Sequence, residues 1–315
     1  MIRIEKKFIL VLALLFGLSL LNSQASDALE GKARFNVATY NIRQLNSGDD
    51  ADGNGWESRR HVLSGLIRFH EFDIFGTQEG FKSQLDDLKA SLPDYDYIGV
   101  AREDGKESGE HSAIFYNTDL FELLDHGDFW LSEHPETPGL GWDAACTRIC
   151  SWGKFRHRSS GKIFQFFNLH LDHVGTVARK ESLYLVQRKM QETGTDLPTF
   201  LTGDFNVDQY NDLYEVPASS GFLNDSFRQA GFVYALNGTY NGYETDGYTD
   251  SRIDHIFVSD KIDVIKYGIL TDTYRSPIAD GVTLFGGDKP AEISVTKYRS
   301  RTPSDHFPVL ISVEI

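Results

Sequence analysis

Six short clusters of Asp, Asn, His, Glu and Arg lie against apolar runs of strand length, and this recurrence limits the fold more than any other feature. The clusters are Tyr40-Asn-Ile-Arg43, Thr77-Gln-Glu79, Asn168-Leu-His-Leu-Asp-His173, Gly203-Asp-Phe-Asn206, Ser251-Arg-Ile-Asp-His255 and Ser304-Asp-His306. The runs beside them span residues 35–40, 72–77, 163–171, 197–201, 253–258 and 309–313, with a further run at 113–116. Between these, residues 59–69, 81–92 and 179–192 space their apolar side chains as amphipathic helices do. A single Asp or Asn at a strand end is usually a turn former or helix cap. Six clusters at strand ends, where α/β folds collect their ligand sites, point to one polar centre. No internal repeat, low-complexity tract or Pro/Ser-rich linker interrupts the pattern, so residues 34–315 are expected to form one α/β domain.

The N-terminus follows a different logic. Arg3, Lys6 and Lys7 precede an apolar run from Phe8 to Leu21. As a helix that run rises about 21 Å, short of a hydrocarbon core of about 30 Å. Small residues at Ser23 and Ala25 complete a secretory signal peptide over residues 1–25, with 26–33 as a short linker. An uncleaved anchor is the minority alternative, and the expected location is periplasmic or extracellular, with no stable membrane anchor. The full chain carries 31 basic and 46 acidic residues, a net charge of −15. Removing Arg3, Lys6, Lys7 and Glu5 leaves 28 basic and 45 acidic residues and a net of −17. That balance counts against duplex nucleic acid, which is normally held by a broad basic surface.

Two cysteines, Cys146 and Cys150, cannot build a disulfide framework or a four-cysteine zinc site. Their segment reads as a strand returning through a turn near Ser159-Ser-Gly161 to the run at 163–169. Four residues of strand span about 13 Å, beyond the roughly 7 Å that a disulfide bridges. Two free, buried thiols are expected.

Taken in order, the clusters resemble the endonuclease/exonuclease/phosphatase superfamily, which includes deoxyribonucleases, abasic-site endonucleases, neutral sphingomyelinases, inositol-polyphosphate phosphatases and deadenylases. The resemblance covers essentially residues 34–315. It is nearest to bacterial members that carry Trp56-Glu-Ser-Arg-Arg60, Gly109-Glu-His-Ser-Ala-Ile-Phe-Tyr116 and Gly141-Trp-Asp-Ala144. It implies a four-layer α/β sandwich, two packed and mostly antiparallel sheets with helices outside. It also implies phosphoester hydrolysis with Mg²⁺, for which Mn²⁺ or Ca²⁺ could substitute, and a phosphoester substrate met by a monomer.

The same resemblance assigns roles. Glu79 matches the principal metal-ligand glutamate, with Asp305 and Asn41 completing an oxygen-rich shell of the kind Mg²⁺ prefers. Asn41 could equally hydrogen-bond another carboxylate. Asp204 matches the group that orients or deprotonates the attacking water, and Asn206, on an extended turn, would donate to a phosphate oxygen. His306 would bind phosphate or transfer a proton, with Asp254 fixing its tautomer. His170, paired with Glu110, could protonate the leaving oxygen. Asn168 and Arg148 are candidates for the substrate phosphate; a strand-end role for the first and an ion pair for the second are the bland alternatives. Asp172 and His173 read as loop anchors.

Two rivals are weighed. A zinc hydrolase built on His170-Leu-Asp-His173 lacks a histidine at position 168, and the remaining oxygen-rich set suits Mg²⁺ better than Zn²⁺. A binding protein on a degenerate scaffold should have lost one of Glu79, Asp204, Asn206, Asp254 or His306, and all five are present. A secreted nuclease is the runner-up activity. The expected rim loops, 46–57 and 240–250, are acidic, which favours a small phosphoester or phosphorylated headgroup. Residues 278–293 read as part of an insertion forming a buried lid.

Overall fold

A seven-stranded and a six-stranded sheet pack face to face in the computed structural model, which describes residues 31–278, 283–284, 290 and 292–315. The strands that matter here are β1 (Arg34–Asn41), β2 (Ile74–Gln78), β3 (Tyr95–Ile98), β4 (Ile114–Asn117), β5 (Phe121–Trp130), β6 (Ile149–His157) and β7 (Ile163–His170). The remainder are β8 (Thr199–Asp204), β9 (Leu223–Asp225), β10 (Phe232–Tyr234), β11 (Asp254–Ser259), β12 (Asp263–Ile269) and β13 (Val309–Glu314). One sheet runs β10-β12-β13-β1-β2-β4-β3 and the other β9-β11-β8-β7-β6-β5. Three pairings are parallel, β1 with β2, β10 with β12 and β7 with β8; the rest within these sheets are antiparallel.

Helices α1 (Trp56–Phe69), α2 (Lys82–Ser91) and α3 (Thr176–Glu192) cover the outer faces. Leu63, Leu66 and Ile67 of α1 and Leu85 and Leu88 of α2 join Ala38, Tyr40 and Phe75 outside the first sheet. Leu183, Val186 and Met190 of α3 join Phe167, Leu169 and Leu201 outside the second. The result is the expected four-layer sandwich. Phe69, at the end of α1, departs from its helical spacing and is 81% exposed.

The alternation of side chains along a strand explains how this sandwich makes a site. Between the sheets lie Phe35 and Val37 of β1, Ile74 of β2, Phe164 and Phe166 of β7, Phe200 of β8, and Ile256 and Val258 of β11. Two residues further toward one end, the same inward positions become Thr39 and Asn41, Gly76 and Gln78, Asn168 and His170, Thr202 and Asp204, and Asp254. Each strand is therefore an apolar anchor at one end and a polar presenter at the other.

Asn168 sits at the changeover and corrects its assignment as a phosphate ligand. It is fully buried. Its Nδ2 donates to the carbonyls of Thr77 and Ala113, at 2.9 and 3.0 Å, and its Oδ1 accepts from Gln78 Nε2 and Thr202 Oγ1, at 2.7 and 3.1 Å. It thus pins one sheet to the other. A Cβ on Gly76 would stand 2.2 Å from Asn168 Oδ1, so the facing strand must carry glycine there.

Cys146 lies ahead of β6, not within it, and is half-buried; Cys150 is buried, and both are free. The backbone N–H and carbonyl of Ala33 both bond Ile315, each at 3.0 Å. The expected signal peptide, residues 1–25, lies outside the described residues. Among the described residues, no helix is long and apolar enough to cross a membrane. Residues 292–299 are exposed, so this described part of the insertion forms no buried lid.

Candidate active site

Strand register assembles the centre. In the second sheet Asp204 is the Cα partner of both His170 and Asp254, and in the first Asn41 faces Gln78, which precedes Glu79. Glu110 pairs with Phe81 and His111 with Gly80, bringing Glu110 beside Glu79's end of the sheet. A backbone bridge between Tyr240 and His306 closes the other side. Behind these loops, buried Arg59 donates to the carbonyls of Ile42 (2.6 Å), Arg43 (2.8 Å), Asn54 (2.9 Å) and Pro303 (3.3 Å), tying three loops to α1. Only the forked guanidinium could reach so many acceptors at once.

A pocket of about 560 Å³ results, lined by Glu79, Glu110, Arg148, His170, Asp204, Asn206, Asp305 and His306 among others. Asn41, Asp254 and Asn168 do not line it. The first two lie directly behind it; the third holds the sheets together.

Asp204 and His306 form the core of the chemistry. Asp254 Oδ2 lies 2.8 Å from His306 Nδ1, the partnership expected from the sequence, and leaves His306 Nε2 3.8 Å from Asp204 Oδ2. Burial alone would lower His306's pKa, but the charge and hydrogen bond of Asp254, with Asp204 and Asp305 nearby, raise it well above the ordinary value. Burial first, then the charge of Asp254, pushes Asp204 up to about 7. Asp204 Oδ1 accepts from the Asn206 N–H at 2.9 Å and Oδ2 from Asn41 Nδ2 at 3.1 Å.

Asn41 resolves toward the second of its two readings. Its Nδ2 also donates to Glu79 Oε1 at 3.0 Å, and its Oδ1 accepts from the Arg43 N–H at 3.0 Å. It positions two carboxylates. Glu79 adopts a left-handed backbone, φ 67°, which turns its side chain into the pocket, where Oε2 accepts from the Gln44 N–H. Asp305 lies 3.5 Å from Arg43 Nη1, and burial first, with the charge of Glu79 contributing, raises its pKa.

Three further expectations change. Glu110 pairs with Arg102 Nη1 at 2.7 Å and stands 3.9 Å from His170 Nδ1, too far to hydrogen-bond it. Burial raises Glu110's pKa, whereas burial and the charges of Arg148 and Arg102 lower His170's well below the usual range, leaving it neutral. Asn206 is left-handed, φ 49°, not extended; its Nδ2 meets His170 Nε2 at 3.1 Å and donates to the Leu171 carbonyl. Arg148 does line the pocket. Its Nε lies 3.5 Å from Asp172 and Nη2 3.2 Å from His173 Nδ1, while buried Nη1 has no protein partner among the described residues.

Two groups bring three metal-ligating side chains within 4.8 Å: Asp204, Asp254 and His306, and Cys146, Asp172 and His173. In the first, the Asp254–His306 hydrogen bond already uses two of the donors. In the second, Arg148 places a cation against the cluster, and Asp172 is occupied by the N–H groups of Val174 and Gly175. Glu79 and Asp305 remain as carboxylates facing the pocket, and an all-oxygen pair crowded by mutual repulsion fits a hard divalent ion. The sequence reading missed Arg102 and Tyr240, which carry no local motif, and gave Arg43 no role although it stands in the first cluster.

Comparison with known proteins places these observations. The pattern of the Endonuclease/Exonuclease/phosphatase family matches residues 38–306. A Bacteroides thetaiotaomicron structure described as an endonuclease/exonuclease/phosphatase family protein is 51% identical, with a TM-score of 0.84, covering 90% of this chain and 98% of that one. A mannosyl-6-phosphatase from the same organism is 52% identical, with a TM-score of 0.82, covering 89% and 99%. An uncharacterised mimivirus protein is 29% identical over 217 residues, 64% of this chain and 79% of its own length. The chain belongs to the endonuclease/exonuclease/phosphatase family, whose members hydrolyse phosphoesters.

Proposed function

We propose that this chain is a divalent-metal-dependent phosphomonoesterase acting on a small phosphorylated sugar. The observation that carries the reading is the pocket itself: Arg43, Arg102 and Arg148 face the Asp204–His306 pair across about 560 Å³, on a chain whose net charge is −15. Guanidinium groups fork onto phosphate oxygens, and three of them suit a compact dianion. The similarity to a protein named as a mannosyl-6-phosphatase supports the sugar-phosphate class.

Glu79 and Asp305 would hold the ion, preferably Mg²⁺, which when bound supplies Lewis-acid stabilisation of phosphoryl charge. Asp204, held on both oxygens, accepts the proton of the attacking water, and a pKa near 7 suits that task. His306, fixed through Nδ1 by Asp254, offers Nε2–H to a phosphoryl oxygen. Arg148 Nη1, otherwise unpartnered, takes another. Neutral His170, held by Asn206, stands beside Asp204 at 3.5 Å and completes the wall.

The test is phosphate release by the purified chain from hexose 6-phosphates, inositol phosphates and aryl mono- and diesters, with plasmid DNA and sphingomyelin alongside, in Mg²⁺, Mn²⁺ or Ca²⁺. Release from a hexose 6-phosphate that chelation abolishes is expected. Metal-dependent nicking of plasmid at physiological salt, with no release from any sugar phosphate, would overturn the proposal. Export belongs to the same proposal, on the basic head and apolar run of residues 1–25. A mature chain beginning at Ser26 is the expected result of N-terminal sequencing, and a chain retaining Met1 would refute it.

A further inference from the structure

A second cavity, of about 650 Å³, opens beside the phosphate pocket and shares Arg43, Tyr240 and Asp305 with it. The segments 49–54, 240–245 and 299–301 form its wall. The first two belong to the rim segments expected to be acidic, and Arg299 and Arg301 come from the third, which lies outside them. Four carboxylates, Asp49, Asp52, Glu244 and Asp305, face three guanidiniums, Arg43, Arg299 and Arg301. Part of this charge is already paired: Asp49 with Arg43 at 2.9 Å, and Arg301 with the Asn54 side chain. Among the described residues, the side chains of Asp52, Glu244, Thr245 and Arg299 have no hydrogen-bond partner.

We propose that this cavity is the leaving-group site and that it takes a neutral, polyhydroxylated ring; the inference rests on the phosphomonoesterase reading. A phosphate held in the first pocket must extend its ester substituent somewhere, and the shared Arg43, Tyr240 and Asp305 make this an adjoining space, larger than the cavity of about 280 Å³ that meets the pocket at Tyr240 and Ile253. Near-balanced charge favours neither a second phosphate nor a free ammonium group. Unused carboxylates accept from hydroxyl pairs, while Arg299 and Thr245 donate to ring and hydroxyl oxygens. Tyr240 forms the ridge between the two cavities. It is 50% exposed, and its ring stands edge-on to His306, with centroids 5.1 Å apart at 75°. Together with Tyr243 it offers an apolar face against which the carbon side of a ring packs.

The test compares kcat/KM for a hexose 6-phosphate and for phenyl phosphate in the wild type and in Glu244→Gln, Asp52→Asn and the double variant. All are exposed loop positions, so each chain should fold. The ratio of the two specificity constants should fall at least tenfold in the double variant, chiefly through KM for the sugar phosphate. A ratio within twofold of wild type would overturn the proposal. Should the wild type release phosphate from neither ester, the phosphomonoesterase reading fails, and the cavity is judged by saturation-transfer NMR with the free hexose. A signal in the wild type that the double variant loses supports the assignment, and no signal in the wild type refutes it.

Discussion

Asn168→Ala separates a structural from a substrate-binding role at a position where the sequence suggests both. The substitution deletes four hydrogen bonds, two donated to the carbonyls of Thr77 and Ala113 and two accepted from Gln78 and Thr202. Three partners keep another bond: Gln78 Nε2 to Thr39, Thr202 Oγ1 to the Phe167 carbonyl, and the Ala113 carbonyl to the Thr77 N–H. The loss is therefore nearer the net value of each bond, about 1 kcal/mol, than the full penalty of four orphaned groups. A small void opposite Gly76 adds to it. The sum is about 4 kcal/mol, which for a chain of this size lowers Tm by roughly 8 °C. Asn168→Asp should be worse, because it sets a buried carboxylate against two carbonyl oxygens. Urea and thermal melts followed by circular dichroism give the answer. A shift below 1 kcal/mol, with a raised KM for substrate in a fully stable protein, would refute the sheet-pinning account.

Three other outcomes follow from the geometry. Asp254→Asn should lower kcat by about 100-fold or more with a smaller effect on KM, since His306 loses the charge that holds it protonated and oriented; retention of a tenth of the activity would refute that dependence. Burial, only partly offset by the Asn36 N–H at 2.7 Å, raises Asp73 to about 6, so the folded chain binds this proton more tightly than the unfolded one. Stability from this group is therefore full below pH about 4 and falls as pH rises through 6, and Asp73→Asn should stabilise by about 3 kcal/mol at pH 8 and hardly at pH 4; a gain independent of pH would contradict it. Cys146, half-buried in the pocket wall, should react with a thiol reagent in the native chain, whereas Cys150, buried and with its pKa raised by burial, should react only on unfolding; two fast thiols would contradict this.

Much of the fold was legible because its central strands are buried on nearly every side chain, so that residues 35–41, 163–170 and 199–204 read as short, largely apolar runs that turn polar at one end. Five strands escaped, β3, β5, β9, β10 and β12, and the two longest show why. β5 is an edge strand whose middle, around Asp125 and His126, is exposed and bulged, so it has no buried face to advertise. β12 alternates until a bulge between Val264 and Lys266 breaks its period. The site was legible as a set of residue types, and its partnerships less so. Asn168 and His170 project from the same face of one strand, two residues apart. Sequence cannot say that one lies in the sheet interface and the other at the pocket, because depth along a strand is set by where the facing sheet ends. Glu110 lines the same pocket as His170 without pairing with it, and its actual partner, Arg102, comes from a loop eight residues earlier with no motif to mark it.

The distribution of charge gives this acidic chain its logic. Its surplus of carboxylates would repel any phosphoester if it were uniform, yet the pocket concentrates three guanidiniums within a wall that also holds Glu79, Asp204 and Asp305. One side chain keeps these opposed needs from collapsing into each other. Asn41 Nδ2 donates at once to Glu79 and to Asp204, so the carboxylate suited to an ion and the carboxylate suited to a proton are held by the same neutral donor. An arginine or lysine there would pair with both, lower the pKa of Asp204 and take the place of the ion. A neutral amide fixes their directions while leaving their charge to be answered by metal, water and phosphate.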